Sequence, residues 1–299
     1  MEAFFNLIKV SSTVPPKLCV LLDIDETMLQ YVDYPVGRDY EYFNHITMPV
    51  RNPPNPNPIV VFRPYLDVFF KFASQNNIHL GIWTYGSKYH AENTAKRWIP
   101  FYIESLEVEH DIKINPPIKF DFVYCDEDYK KWKDYREDGH HKDLRMIYEN
   151  HPHWTPENTI IIDNSIFNIN HIHNASNGIL IQPFQPSSND MFSYEDAKND
   201  HVFLDDIIPI CYKLIHRDNS IHRDNSIHRG HQMSISDILE PYKFQVSADS
   251  AIFTVGNKIH NHYGEYIFVK RENPHLFERA KKRTKKNERH NNKNFKIEE

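Results

Sequence analysis

Five apolar residues, Leu18, Cys19, Val20, Leu21 and Leu22, run without a break into Asp23, Ile24, Asp25, Glu26 and Thr27. No other feature restricts the fold as tightly. The run is short and lacks the polar alternation of a half-exposed strand, so it reads as a strand covered on both faces. Carboxylates at the end of such a strand would each cost several kcal/mol if buried and unpaired. The strand must therefore deliver Asp23, Asp25 and Glu26 to a place that wants negative charge.

The rest of the chain alternates strand and helix, as a parallel sheet covered on both faces requires. After the first strand, residues 30–58 are polar and carry prolines at 53, 54, 56 and 58, which predicts a loop or flap. RPYLDVFFKFASQNN predicts a helix with Leu66, Phe69, Phe70 and Ala73 on one face. Residues 78–84 read as the second strand, and KYHAENTAKRWIP as a helix presenting Ala91, Ala95 and Trp98. Strands are expected again at 119–125, 158–163 and 179–184, with a helix beginning near Lys142 and another over VFLDDIIPICYKLI. The expected fold class is α/β: a doubly wound parallel sheet with a short flap and a C-terminal extension. Such sheets bind ligands in the crevice beyond the carboxyl ends of their strands.

Residues 1–213 read as one domain of this kind. Residues 214–232 read as a solvated linker, because HRDNSI occurs twice, at 216–221 and 222–227, and a period of six matches neither helix nor strand. Residues 233–278 hold strand-like runs (AIFTV, YGEYIFV) that suit a small β element added to the body. Residues 279–299 contain nine Lys/Arg and three acids; this +6, in a chain of net charge −6, leaves the remainder at −12. The tail reads as disordered. Its KKRTKK suits a nuclear import signal, an arm that contacts nucleic acid, or a purely solubilising segment.

Several function classes lose support. Neither GxGxxG nor GxxxxGK occurs, which removes the Rossmann and P-loop modes of nucleotide binding. Cys19, Cys125 and Cys211 are too widely spaced for a disulfide framework or a zinc knuckle and read as reduced thiols. The HxH pairs at 151/153, 171/173 and 260/262 lack further ligands at metal-binding spacing. No apolar run reaches the roughly 18 residues that span a bilayer, and the first residues lack secretory-signal features. The reading is an intracellular protein, nuclear or cytoplasmic, with no membrane partner.

The strand ends carry the chemistry. Asp23 and Asp25 follow the first strand, Thr84 the second, Asp163 and Asn164 the fourth, and Lys142 stands after the third; all should converge on one crevice. Carboxylates, a lysine, a hydroxyl and an amide suit phosphoryl transfer through an aspartyl intermediate. A phosphate monoester is dianionic, so a carboxylate can approach it only if cations offset the repulsion, and Mg²⁺ with octahedral oxygen ligands is the expected cofactor. Asp23 could then face phosphorus and metal, and the Asp25 carbonyl could ligate the metal while its side chain reaches the leaving oxygen. Asn164 would be a neutral third ligand. Asp163 could hold Lys142, and Thr84 could donate to a phosphate oxygen.

The chain resembles the haloacid dehalogenase superfamily, within it the FCP/SCP group of phosphatases, similar to NLI-interacting-factor-like proteins, that act on the carboxyl-terminal domain of RNA polymerase II. DIDET looks like the family's DLDET, FRPYLDVFF like its RPgLdeFL, WTYGSKYHAENTAK like its T-(F/Y)-G-S-x-x-Y-A, KDL like its lysine motif, and IIIDNS like its V-D-N-S. The resemblance covers roughly residues 17–184. It implies Asp23 as nucleophile and Asp25 as general acid, then base. It further implies Thr27, Thr84 and Lys142 as phosphate-binding residues, Asp23, Asp25 and Asn164 as Mg²⁺ ligands, and Asp163 in support. The implied substrate is a phosphoserine or phosphothreonine protein, such as an RNA polymerase II tail. The family's substrate-binding insertion is expected between Lys88 and Phe120, where this chain is short, and no BRCT-like domain is evident. Two other readings stay open: a phosphatase of nucleic-acid ends or nucleotides drawn in by the basic tail, and a phosphatase-like binding module without chemistry. Arg63 could touch substrate or pair with an acidic surface.

Overall fold

The structure is a computed structural model that describes residues 18–32, 42–47, 59–111, 113–132, 142–169, 173–174, 176–186, 197–217, 233–247, 250–255, 258–260 and 266–268. The Pro-rich stretch, nearly all of the HRDNSI repeat and the basic tail lie outside these residues.

Strand β1 (Cys19–Leu22) is buried along its whole length in the interior of a seven-stranded sheet. β5 (His79–Trp83) and β7 (Thr159–Asp163) flank it in parallel, Cys19 standing opposite both His79 and Thr159. β6 (Phe120–Tyr124) extends the sheet beyond β5, and β8 (Gly178–Ile181) extends it beyond β7, again in parallel. The chain fills one side of β1 first and then crosses to the other, so the strand order reverses at β1. That reversal opens the crevice at the carboxyl end of the strand that carries the three acids.

The absence of polar alternation in β1 follows from two cores. Val20, Leu22, Leu80, Ile82, Ile160 and Ile162 belong to one face, together with helix α1 (Leu66–Gln75) and its Phe69 and Phe70. Cys19, Leu21, Trp83 and Ile161 belong to the other, with Leu144, Met146, Ile147 and Trp154. The first core also takes Ala91 and Trp98 from a long helical stretch. That stretch is α2 (Lys88–Asn93), a wider π-type turn (Thr94–Trp98) and α3 (Ile99–His110). Cys19, Cys125 and Cys211 are buried free thiols.

One expectation is corrected. The segment read as a loop or flap contains strands: β2 (Leu29–Val32) and β3 (His45–Thr47) pair antiparallel with β4 (Ile59–Phe62), forming a separate three-stranded sheet in the order β2-β4-β3. Strands of three or four residues are too short to display a period, and the prolines between them dominate the local pattern. The C-terminal stretch, whose strand-like runs suited a β element added to the body, supplies further strands. β10 (Ser250–Val255) pairs in parallel with β8, and β9 (Lys243–Ser247) closes an antiparallel hairpin on it, so these strands extend the main sheet. Among the described residues no helix is long and apolar enough to cross a membrane.

Candidate active site

The first motif leaves the sheet by a tight turn. Asp23 is still tied to the sheet through its amide on the Ile162 carbonyl (3.1 Å), and the Ile24 carbonyl then accepts from the amides of Thr27, Met28 and Leu29. Glu26 adopts a left-handed φ of 57°, which a residue with a Cβ holds only under constraint from its surroundings. Those constraints are explicit. Its carbonyl accepts from the Phe184 amide (2.7 Å) and from Arg63 Nη1 (3.2 Å), and its carboxylate accepts from Asn164 Nδ2 (3.0 Å) and Gln185 Nε2 (2.9 Å).

Arg63, delivered by the end of β4, is fully buried and is a structural clamp. It also donates to the carbonyls of Thr27 (3.1 Å) and Gln182 (2.7 Å) and meets the buried Asp200 carboxylate at 2.7 Å. Its acid is therefore an internal one, and neither the acidic surface nor a substrate is its partner.

Lys142 is fully buried behind Asp23. Its ammonium donates to Asp23 Oδ1 at 2.5 Å and to Asp163 Oδ2 at 2.6 Å, with the Tyr85 ring 5.5 Å away. It precedes the helix α4 (Arg145–Asn150) instead of starting it. Asn174 latches this loop, donating to the carbonyls of Lys142 and Asn168 and accepting from the Leu144 amide. Asp163 is held in turn by the Ser165 amide (2.7 Å) and Asn168 Nδ2 (2.9 Å). Sequence reasoning picked out Asp163 and Lys142, counted Glu26 only among the acids of the strand end, and missed Asn168 and Asn174, whose only local signal is a polar side chain among apolar neighbours.

Burial pushes the Asp23 carboxyl up to about 7, and the neighbouring Asp163 and Asp25 charges add to this while Lys142 opposes it. For Lys142, burial acts downward, but Asp163 and Asp23 outweigh it and hold the amine above its ordinary value. Removing charge from water costs more than one ion pair returns, unless further partners are supplied.

These residues converge on a cleft of about 360 Å³ lined by Asp23, Asp25, Glu26, Thr84, Gly86, Asp163 and Asn164, with Gln30, Tyr31 and Tyr85 at its sides. Thr84 stands one residue beyond β5, its amide on the Tyr124 carbonyl, and its hydroxyl oxygen accepts from the Gly86 amide at 2.9 Å. Its own O–H is then left to donate. Thr27 is fully buried with its hydroxyl 3.4 Å from Asn164 Oδ1, behind the cleft wall. Asp25 is half exposed and its Oδ2 lies 3.1 Å from His90 Nε2.

The donors available to a metal are oxygens: the carboxylates of Asp23 and Asp25, the Asp25 carbonyl and the Asn164 amide. Such hard ligands suit Mg²⁺. Asp23, Asp25, Glu26 and Asp163 all line the cleft and Lys142 is bonded to two of them, so negative charge is left over and the residues fit a divalent cation. Among the described residues no three His, Cys, Asp or Glu side chains group as metal ligands. The candidate set differs in using an amide and a backbone carbonyl.

The sequence profile of NLI interacting factor-like phosphatases matches residues 18–220, a span that begins just before β1 and takes in every residue of the cleft. The chain belongs to the NLI interacting factor-like phosphatase family. No curated protein matches this family member in sequence. It is similar to the solved structure of Fcp1, an essential RNA polymerase II CTD phosphatase, at 16% identity and a TM-score of 0.39. It is also similar to the fission yeast RNA polymerase II CTD phosphatase Fcp1 bound to beryllium fluoride, at 17% identity and the same TM-score. Each comparison covers 72% of this NLI interacting factor-like phosphatase and 59% of the other chain, so it spans about three-fifths of the length of those structures.

Proposed function

We propose that this chain is a Mg²⁺-dependent phosphomonoesterase that works through an aspartyl-phosphate intermediate on phosphoserine or phosphothreonine in proteins. The carrying observation is the placement of Asp23 at the cleft floor against Lys142, with the freer Asp25 two residues on. Asp23 would attack phosphorus as the bond to the leaving oxygen breaks, and Asp25 would give that oxygen a proton. Asp25 would then take a proton from water as the water oxygen attacks phosphorus, restoring the Asp23 carboxylate and releasing inorganic phosphate.

Lys142 supplies fixed positive charge behind the nucleophile, and the Thr84 hydroxyl supplies a donor for a nonbridging oxygen. Asp23, the Asp25 carbonyl and Asn164 would hold Mg²⁺, which when bound offsets the charge of the incoming dianion. Glu26 fixes the Asn164 amide by its 3.0 Å bond, the kind of outer support that orients metal ligands. The family membership and the likeness to RNA polymerase II CTD phosphatases favour a phosphorylated protein tail as substrate.

The test is phosphate release from p-nitrophenyl phosphate with Mg²⁺ by the wild type and by Asp23→Asn. Turnover by the wild type and none by the variant is expected, and turnover kept by Asp23→Asn would refute the nucleophile assignment. A panel of phosphoserine and phosphothreonine peptides against 5′- and 3′-phosphorylated oligonucleotides decides the substrate class. Faster turnover of the oligonucleotides would replace the protein substrate with a nucleic-acid end.

A further inference from the structure

His90 plays no part in the chemistry above, yet its ring reaches the cleft. It sits on α2, whose N-cap Ser87 accepts from the His90 amide at 3.3 Å. The imidazole packs edge-on against Trp98, with ring centres 5.3 Å apart, and Trp98 in turn stacks with Tyr31 on the cleft wall. A Cβ at residue 86 would come within 2.7 Å of His90 Cδ2, so Gly86 is what lets the ring lie over the loop that carries Thr84. From this seat Nε2 meets Asp25 Oδ2 at 3.1 Å. The position corresponds to the tyrosine of T-(F/Y)-G-S-x-x-Y-A, and this chain has a histidine there.

We infer that His90 is a positioning residue for the acid–base carboxyl: the His90–Asp25 contact across the cleft sets which Asp25 oxygen serves the leaving group. The inference rests on the reading of Asp25 as general acid and base. A half-exposed carboxyl free to rotate spends much of its time out of hydrogen-bond reach of the atom it must protonate. An N–H on Nε2 donating to Oδ2 engages that oxygen and leaves Oδ1 as the one that carries the mobile proton. In the first step the proton moves from Oδ1 to the leaving oxygen as its bond to phosphorus breaks. In the second, Oδ1 takes a proton from water. His90 itself neither gains nor loses a proton. General acid catalysis contributes about 10²- to 10⁴-fold in rate, and most where the leaving oxygen is strongly basic. Loss of aim should therefore harm alkyl esters more than nitrophenyl esters.

The experiment measures kcat and KM with Mg²⁺ for p-nitrophenyl phosphate, phenyl phosphate and a phosphoserine peptide. The proteins are the full-length wild type, His90→Phe, His90→Gln and Asp25→Asn, with melting temperatures taken alongside. His90→Phe keeps a ring against Trp98 and removes the donor. It should lose about tenfold more on the peptide than on p-nitrophenyl phosphate in kcat/KM, which reports the leaving-group step, as partial loss of a general acid implies. His90→Gln, which can donate from its amide, should return the peptide rate to within about threefold of wild type. A wild-type leaving-group profile in His90→Phe, beside a steepened profile in Asp25→Asn, overturns the inference alone. An equal loss in kcat/KM on all three esters, or no rescue by glutamine at a matched melting temperature, also overturns it. An Asp25→Asn profile identical to wild type overturns the acid–base reading and takes the role of His90 with it.

Discussion

Lys142 Nζ stands 2.5 Å from Asp23 Oδ1, a fully buried ammonium against a carboxylate whose side chain keeps 10% exposure. Asp163 shares the same ammonium at 2.6 Å, so one cation serves two carboxylates. Burial, aided by the neighbouring Asp163 charge and opposed by Lys142, raises the Asp23 carboxyl, and this connects stability to pH and to metal.

A carboxyl that titrates near 7 in the folded protein and near 4 in the unfolded chain favours folding by binding a proton. This contribution is complete below about pH 4 and is lost as pH rises through about 7. In EDTA, Asp23→Asn should melt higher than the wild type at pH 8 and show a smaller advantage at pH 5. The gap should be on the order of a few kcal/mol, given about 1.4 kcal/mol per pKa unit. Added Mg²⁺ should raise the melting temperature of the wild type and leave that of the variant almost unchanged. Differential scanning calorimetry at both pH values decides it. A wild type that melts above the variant throughout would mean that Lys142 already compensates Asp23 in full.

Arg63 and Asp200 meet at 2.7 Å with almost no exposed surface. Arg63→Met would leave Asp200 buried without its cation and the carbonyls of Thr27 and Gln182 without this donor, so a loss of about 3–5 kcal/mol is expected in urea unfolding. Arg63→Lys should recover little, because one ammonium cannot reproduce a fork that reaches three carbonyls and a carboxylate. Adding Asp200→Asn to Arg63→Met should restore part of the loss. A cost below about 1 kcal/mol for the single change would contradict the clamp.

How much of this was legible depended on the range of each interaction. The interior place of β1 could be read from Leu18–Leu22 because burial on both faces removes alternation locally. The convergence of Asp23, Thr84, Asp163 and Asn164 could be read because each ends a strand, and parallel strands end on one edge. Glu26 was visible only as one more acid, since its partners Asn164 and Gln185 stand 138 and 159 residues away. The same distance in sequence hid Arg63 with Asp200 and the pairing of β10 with β8. β2 and β3 were missed because strands of three or four residues take their stability from β4, beyond the proline-rich stretch that was read as a loop.

Thr84 has one observed and one proposed role on a single hydroxyl, and paired measurements separate them. Its oxygen accepts from the Gly86 amide at 2.9 Å, and its proton is the candidate donor to phosphate. Thr84→Ser keeps both and should stay within about threefold of wild type in kcat/KM. Thr84→Val keeps the shape and loses both. It should cost about 10²-fold in kcat/KM, as removal of a single oxyanion donor does, and about 1–3 kcal/mol in stability from the unpaired Gly86 amide. Steady-state kinetics with p-nitrophenyl phosphate and urea titrations measure the two losses separately. A valine variant that is destabilised but fully active would leave Thr84 a structural hydroxyl only.

Asn164 donates from its amide nitrogen to the Glu26 carboxylate at 3.0 Å, which leaves the amide oxygen, 3.4 Å from the Thr27 hydroxyl, as the candidate metal ligand. Glu26→Ala removes that grip and keeps the left-handed backbone at residue 26 under strain. Glu26→Gly removes the grip and relieves the backbone. Both variants should need about 10- to 100-fold more Mg²⁺ for half-maximal phosphatase activity, as loss of an outer support to a metal ligand typically does. The alanine variant should be less stable than the glycine variant by about 1 kcal/mol, because only glycine relieves the φ that glutamate and alanine share. Magnesium titrations of activity, with melting curves in EDTA, separate the two effects. An unchanged Mg²⁺ midpoint in both variants would show that Asn164 needs no help from Glu26, and the carboxylate would then have to be explained by its bond to Gln185 alone.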